Sequence, residues 1–205
     1  MKIFRSVLSL LTIVSVALCA ASCGKGSDAC EYAASRNIEG REVYYVDITV
    51  KDYGTISLLL DATTAPITVH NFLSLVADGF YDGLTFHRIA PGFVIQGGDP
   101  KGNGTGGSSE TITGEFALNG YDNDISHIRG VISMARSQKY DSASSQFFIM
   151  LEDNTYLDGE YAAFGYVISG MNIIDEICKD AIVEDSLGNV LAENQPVIES
   201  IVIRE

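Results

Sequence analysis

The chain has 205 residues, 46% apolar and 20% charged, enough for one domain with a full core plus a short appendage and too apolar for general disorder. Its 27 acidic groups outweigh 13 basic ones, giving a formal charge of −14. Such a surface repels phosphate backbones and anionic headgroups, which excludes nucleic-acid binding as a primary role.

The first segment reads as an address. Lys2 and Arg5 make a positive start, and Val7 to Ala20 form an apolar run of signal-peptide length. Ala20-Ala21-Ser22-Cys23 follows. Small residues directly before a cysteine resemble the bacterial lipobox, in which that cysteine is diacylated and becomes the first residue; an ordinary cleaved signal or an uncleaved anchor is the alternative. Residues 1–22 are therefore expected to be a lipoprotein-type signal peptide and Cys23 the lipidation site. Residues 23–41 are small and polar and read as a flexible tether, with a reach of roughly 20–25 Å. Residues 42–205 make the folded domain. The expected setting is export to the bacterial cell envelope, with a lipid anchor that holds the chain to a membrane surface without spanning it. Cys30 and Cys178 have no metal-ligand company; an exported protein could pair them, but nothing in the spacing demands it.

From Val43 the pattern is that of strands. Val43 to Val50 and Thr55 to Leu60 are β-branched and aromatic, with a turn at Asp52-Tyr53-Gly54, and read as a hairpin. Thr64 before Ala65-Pro66 predicts an N-cap with proline in the first helical turn. Val69, Phe72, Leu73 and Val76 then repeat at helical spacing up to Gly79. Short strands are predicted at Thr85–Ile89, Phe93–Gly97, Val131–Ala135, Gln146–Met150 and Ala162–Val167. A second helix is predicted over Met171–Lys179 and a closing strand over Val197–Arg204. Two helices among about eight short antiparallel strands predict a mainly β fold, a closed eight-stranded barrel capped by the helices.

One stretch carries the chemistry: Phe86-His87-Arg88-Ile89-Ala90-Pro91-Gly92-Phe93-Val94-Ile95-Gln96-Gly97-Gly98-Asp99. Period-2 alternation puts Val94 and Gln96 on one strand face, and Gln146 and Phe148 on another. If those faces meet Arg88, an apolar floor is crossed by one cation and two amides. The stretch resembles the Phe-His-Arg signature of the cyclophilins, which implies rotation about X–Pro bonds; that rotation must break the donation of the nitrogen lone pair into the carbonyl, a barrier of roughly 18–20 kcal/mol. A guanidinium donating toward the prolyl nitrogen stabilises the twisted state, and a fixed donor does more in a partly dry pocket. Such chemistry requires no nucleophile, metal or cofactor.

These residues resemble the cyclophilin signature of a Phe-His-Arg strand, a Pro-Gly-Phe turn and a Gln-Gly-Gly-Asp exit. Ser133-Met134-Ala135, Ser145-Gln146-Phe147-Phe148-Ile149, and Leu157-Asp158-Gly159 with Phe164-Gly165 resemble further blocks of that family, in family order from Val43 to Ile203. The resemblance implies a monomeric peptidyl-prolyl cis–trans isomerase acting on proline-containing unfolded or flexible polypeptides, with Arg88 and Gln96 as its catalytic pair. It implies that Phe93, Val94, Phe148 and Leu157 hold the proline ring, that Gln96 and the backbone of Arg136 hold the substrate main chain, and that Ala135 and Gln146 line the neighbouring groove. Tyr161 stands where many members carry a pocket histidine, Val94 a methionine, and Tyr156 the tryptophan that helps hold cyclosporin, so weak cyclosporin binding is expected. The stretch from Met134 to Gln146 is one residue longer than usual. A cyclophilin-fold module that grips proline segments with little turnover is the alternative reading.

Other signals carry less. Gly102-Asn103-Gly104-Thr105-Gly106-Gly107 matches G-x-G-x-x-G but lacks the helix and the acidic partner that dinucleotide binding needs; in the resembled family it borders the active site. His70, His87 and His127 are too scattered for a zinc motif, and His87 is expected to be a hydrogen-bonded interior residue. Asp99, Asp158 and Glu160 read as turn or surface residues.

Overall fold

The computed structural model describes Ile38 and residues 40–204; the expected signal segment, Cys23 and Cys30 lie outside the described residues. Eight strands in chain order, β1 Val43–Val50, β2 Gly54–Asp61, β3 Phe86–Ala90, β4 Val94–Gly97, β5 Val131–Met134, β6 Phe147–Met150, β7 Ala163–Ser169 and β8 Ile198–Ile203, form one antiparallel sheet. Helix α1 (Pro66–Ala77) follows β2, and α2 (Met171–Asp180) follows β7. The sheet order is β3-β4-β6-β5-β7-β2-β1-β8.

The sheet curls but does not close, contrary to the expected barrel. Its end strands β3 and β8 meet through an isolated bridge, Thr85–Val197, with bonds from Phe86 N to Pro196 O (3.0 Å) and Ile198 N to Leu84 O (2.8 Å). Further along β3 the outer edge is already taken. Ile89 N donates to Gly188 O (2.7 Å) and Val190 N to His87 O (3.0 Å), so the segment between α2 and β8 occupies the groups that closure would need. This also shields the end strand from pairing with another chain.

The alternation of the strands sorts side chains to two faces. Ile89, Ile95, Phe147 and Ile149 point into the main core with Val46, Ile48, Leu58 and Leu60, where Phe72 of α1 and Ile174 of α2 are fully buried. Val94, Phe148, Met150, Leu59 and Tyr166 point the other way and form a second apolar cluster, with Phe93, Ala135, Leu157 and Tyr161 packed at its margin. Because β5 and β6 are buried on both faces, they do not alternate: β6 is an unbroken apolar run, and β5 is broken only by the buried Ser133.

One local expectation is corrected. The N-cap of α1 is Ala65, with no side-chain cap bond; Thr64 instead donates its backbone N–H and hydroxyl to Asp61. The free amides of the helix are taken by Glu115, which accepts from Ile67 N (3.0 Å), Thr68 N (2.7 Å) and Thr68 Oγ1 (2.7 Å). On the N-terminal side the fold reaches back to Arg41, whose guanidinium pairs with Asp61 at 2.7 Å and also bonds Thr64 Oγ1.

Candidate active site

Register places the site residues. Arg88 pairs with Gln96 across β3 and β4, Gln96 with Phe148 across β4 and β6, and Ser133 with Phe148 across β5 and β6. One row of side chains across the outer face of the sheet therefore runs from the cation to the aromatic floor. Arg88, Phe93, Val94, Gln96, Ala135, Arg136, Phe148, Leu157 and Tyr161 line a cavity of about 210 Å³. Gln146, the remaining residue singled out in the sequence, lines an adjoining cavity of about 270 Å³ with Gln96, Ala135, Arg136 and the Gly104–Gly106 loop.

The polar groups form a chain whose direction is forced. Arg88 Nη1 donates to Gln96 Oε1 (3.2 Å), Gln96 Nε2 to Gln146 Oε1 (2.8 Å), and Gln146 Nε2 to the Gly106 carbonyl (2.7 Å). Arginine can only donate and a carbonyl can only accept, so both amides between them have one consistent orientation. The second anchor of Arg88 is Nε, which donates to Leu187 O at 2.8 Å. Its guanidinium carbon lies 5.6 Å from the Phe93 ring centroid, a cation–π contact. Burial lowers the Arg88 pKa from its ordinary value, while Asp185 and Tyr161 oppose the shift.

The opposite rim is built on a second arginine. The Arg136 guanidinium carbon sits 4.6 Å from the Tyr161 ring, 5.1 Å from Phe116 and 5.3 Å from Tyr140. Its Nε and Nη1 donate to Glu160 O and Ser137 O, both at 2.9 Å. This side chain is committed to structure, which is consistent with a role for its backbone rather than its charge. Tyr161 meets Phe148 edge to face at 5.8 Å, and Tyr156 stands 90% exposed outside the cavity.

Beneath the floor lies a group that the sequence did not single out. His127 is fully buried and stacks on Phe148, ring centroids 6.1 Å apart. Its Nδ1 is 2.9 Å from Asp158 Oδ1 and its Nε2 3.1 Å from Ser133 Oγ. Burial lowers the imidazole pKa against the pull of Asp158, so a neutral ring donates to the carboxylate. Asp158, expected to be a turn or surface residue, also accepts from Ser126 Oγ (2.6 Å) and the His127 amide (2.7 Å). His87 corrects its expectation: it is buried at 3% exposure, but neither ring nitrogen has a hydrogen-bond partner. Asp99 does close a turn, accepting from Lys101 N (2.8 Å) and Asn103 N (3.1 Å).

Residues 45–204 match the family model for cyclophilin type peptidyl-prolyl cis-trans isomerase/CLD. The chain is 44% identical over 129 residues to peptidyl-prolyl cis-trans isomerase A of Dickeya dadantii, covering 60% of this chain and 66% of that protein. It is 47% identical over 122 residues to isomerase B of Bacillus subtilis, covering 60% of this chain and 82% of that protein. Among solved structures, a Cryptosporidium parvum cyclophilin type isomerase determined in the presence of the dipeptide Ala-Pro superposes with a TM-score of 0.69 at 32% identity, covering 78% of this chain and 99% of that one.

Proposed function

Because the chain belongs to the cyclophilin-type peptidyl-prolyl cis-trans isomerase family and acts as an isomerase of X–Pro bonds, we propose that Arg88 is the side chain that stabilises the twisted amide. The observation that carries this reading is the Arg88 guanidinium, anchored on two of its nitrogens at the edge of a cavity whose apolar side is made by Phe93, Val94, Phe148 and Leu157. A proline ring seated against Phe93, Val94, Phe148 and Leu157 would bring its nitrogen toward that cation. As the bond twists, the nitrogen lone pair is released from the carbonyl and becomes an acceptor, which a fixed donor in a partly dry site stabilises more than water would. Gln96, held between Arg88 and Gln146, would hold the substrate main chain with the Arg136 backbone, and Ala135 with Gln146 would take the neighbouring residue. The substrates are proline-containing segments of unfolded or flexible polypeptides, a class in keeping with the Ala-Pro dipeptide used with the structural relative.

The test is a proline-isomerisation assay comparing the parent chain with Arg88→Ala. Loss of one preorganised donor is expected to lower kcat/KM by about 10²–10³-fold. An Arg88→Ala variant as fast as an active parent would take the stabilising role away from Arg88, and a parent with no turnover above the uncatalysed rate would leave a proline-binding module.

The proposed setting is the bacterial cell envelope, with the protein acting as a monomer on polypeptides folding after export and held by a lipid at Cys23. Lys2, Arg5, the apolar run to Ala20 and the small residues before Cys23 support it. Among the described residues no helix is long and apolar enough to cross a membrane.

A further inference from the structure

Arg88 has one anchor that does not come from the sheet. Between α2 and β8 the chain makes a small hairpin in which Val183 bridges Val190 and Glu184 N donates to Asn189 O at 2.7 Å. Asp185 organises its turn. Its Oδ1 accepts from Leu187 N (2.9 Å) and Asn189 N (3.1 Å), its Oδ2 from Asn189 Nδ2 (2.8 Å), and its carbonyl from Gly188 N (3.1 Å). The turn is seated on the free edge of β3 by the bonds of Gly188 O to Ile89 N and of Val190 N to His87 O, which flank Arg88 on either side.

Gly188 makes that seating possible. Its φ is +86°, and a Cβ there would lie 2.4 Å from the Ile89 carbonyl oxygen, so conformation and contact both require glycine. Leu187, by contrast, leaves its side chain 63% exposed. What this residue brings to the site is its carbonyl, held 2.8 Å from Arg88 Nε.

Two bonds on different nitrogens constrain a planar guanidinium far more than one does. With Gln96 alone, the plane can pivot about the Nη1 bond, and the long side chain regains its rotamer freedom. With Leu187 O on Nε as well, the plane is set, and the N–H groups not used by these two partners keep a constant orientation. We propose that the Val183–Val190 hairpin is a positioning element of the isomerase site: the turn closed by Asp185 holds the Leu187 carbonyl against Arg88 and thereby orients the catalytic cation. The proposal rests on the reading of Arg88 as the residue that acts on the prolyl nitrogen.

The experiment compares Asp185→Ala, Asp185→Asn, Arg88→Ala and the double variant Asp185→Ala/Arg88→Ala in the full chain. Asp185→Ala should lower kcat by about 10-fold, as a misplaced catalytic group does, with KM for a proline-containing peptide within about twofold. Asp185→Asn keeps an acceptor oxygen for the Leu187 and Asn189 amides and should recover most of the loss. In the Arg88→Ala background, Asp185→Ala should change nothing further. In parallel, the Arg88 Nε–H signal should exchange slowly with water in the parent and in Asp185→Asn, and fast in Asp185→Ala; this reading does not depend on turnover. The proposal is overturned by an Asp185→Ala variant with parental kcat, by an equal loss with and without Arg88, or by unchanged Nε–H exchange. If Arg88→Ala itself retains full activity, the catalytic reading fails first. If Arg88→Ala is inactive while Asp185→Ala is fully active, only the positioning claim falls.

Discussion

Four of the side chains that face the cavity, Arg88, Phe93, Val94 and Gln96, lie in one contiguous signature, but the group that supports its floor does not. Phe93, Val94 and Gln96 sit within a few residues of Arg88 on adjacent strands, so local alternation alone was enough to put Val94 and Gln96 on one face. His127 reaches Phe148 only because β5 and β6 are neighbours and because Asp158, 31 residues further along the chain, turns its carboxylate toward the ring. No spacing rule links those positions. The pairing has a measurable consequence. His127 and His87 both have pKa values lowered from the ordinary 6.5, in each case chiefly by burial; Asp158 opposes the shift at His127, while at His87 Asp99 opposes it and Arg88 adds to it. Below pH 6.5 the unfolded chain therefore binds more protons at these positions than the folded one, and stability must fall as pH falls. Urea midpoints measured from about pH 7.5 down to about pH 5.5 should decrease, and His127→Gln should flatten part of that slope. A midpoint independent of pH across this window would contradict the neutral-ring assignment.

The strands and helices were legible from β-branched runs and helical spacing, most of them to within one or two residues. What failed was each feature whose partner is remote. The start of α1 looked self-capped because threonine precedes Ala65-Pro66, yet Asp61 holds Thr64 and Glu115 takes the first amides from 47 and 48 residues away. Glu115 is 1% exposed, so removing it leaves buried donors unpaired. Glu115→Ala is expected to cost about 2–3 kcal/mol, read as a lower denaturant midpoint, with the loss concentrated in amide protection of the first turn of α1. The Val183–Val190 hairpin escaped notice for a different reason. Its turn, Asp185-Ser186-Leu187-Gly188, is short and exposes its leucine, so no periodicity marks it; it acquires meaning only when docked on β3. The expected barrel closure failed with it, since the same docking uses the β3 groups that closure required.

For the molecule as a whole, the acidic balance bears on the proposed lipid anchor. A chain of formal charge −14 gains nothing from the electrostatics of an anionic membrane surface, so the proposed attachment rests on lipid at Cys23 and not on charge. Mass spectrometry of the N-terminus of the protein recovered from bacterial membranes should show a diacylated cysteine at position 23. An unmodified N-terminus elsewhere would remove the anchor from the proposed setting. The domain itself presents a sheet with two occupied faces, and this divides the burden of each strand between successive residues. Ile95, Phe147 and Ile149 serve the fold, whereas Val94, Gln96 and Phe148 serve the cavity. Substrate preference can therefore drift by changes at every second position of β4 and β6 while the intervening residues stay fixed, so the same few strands can diverge in specificity without renegotiating their architecture.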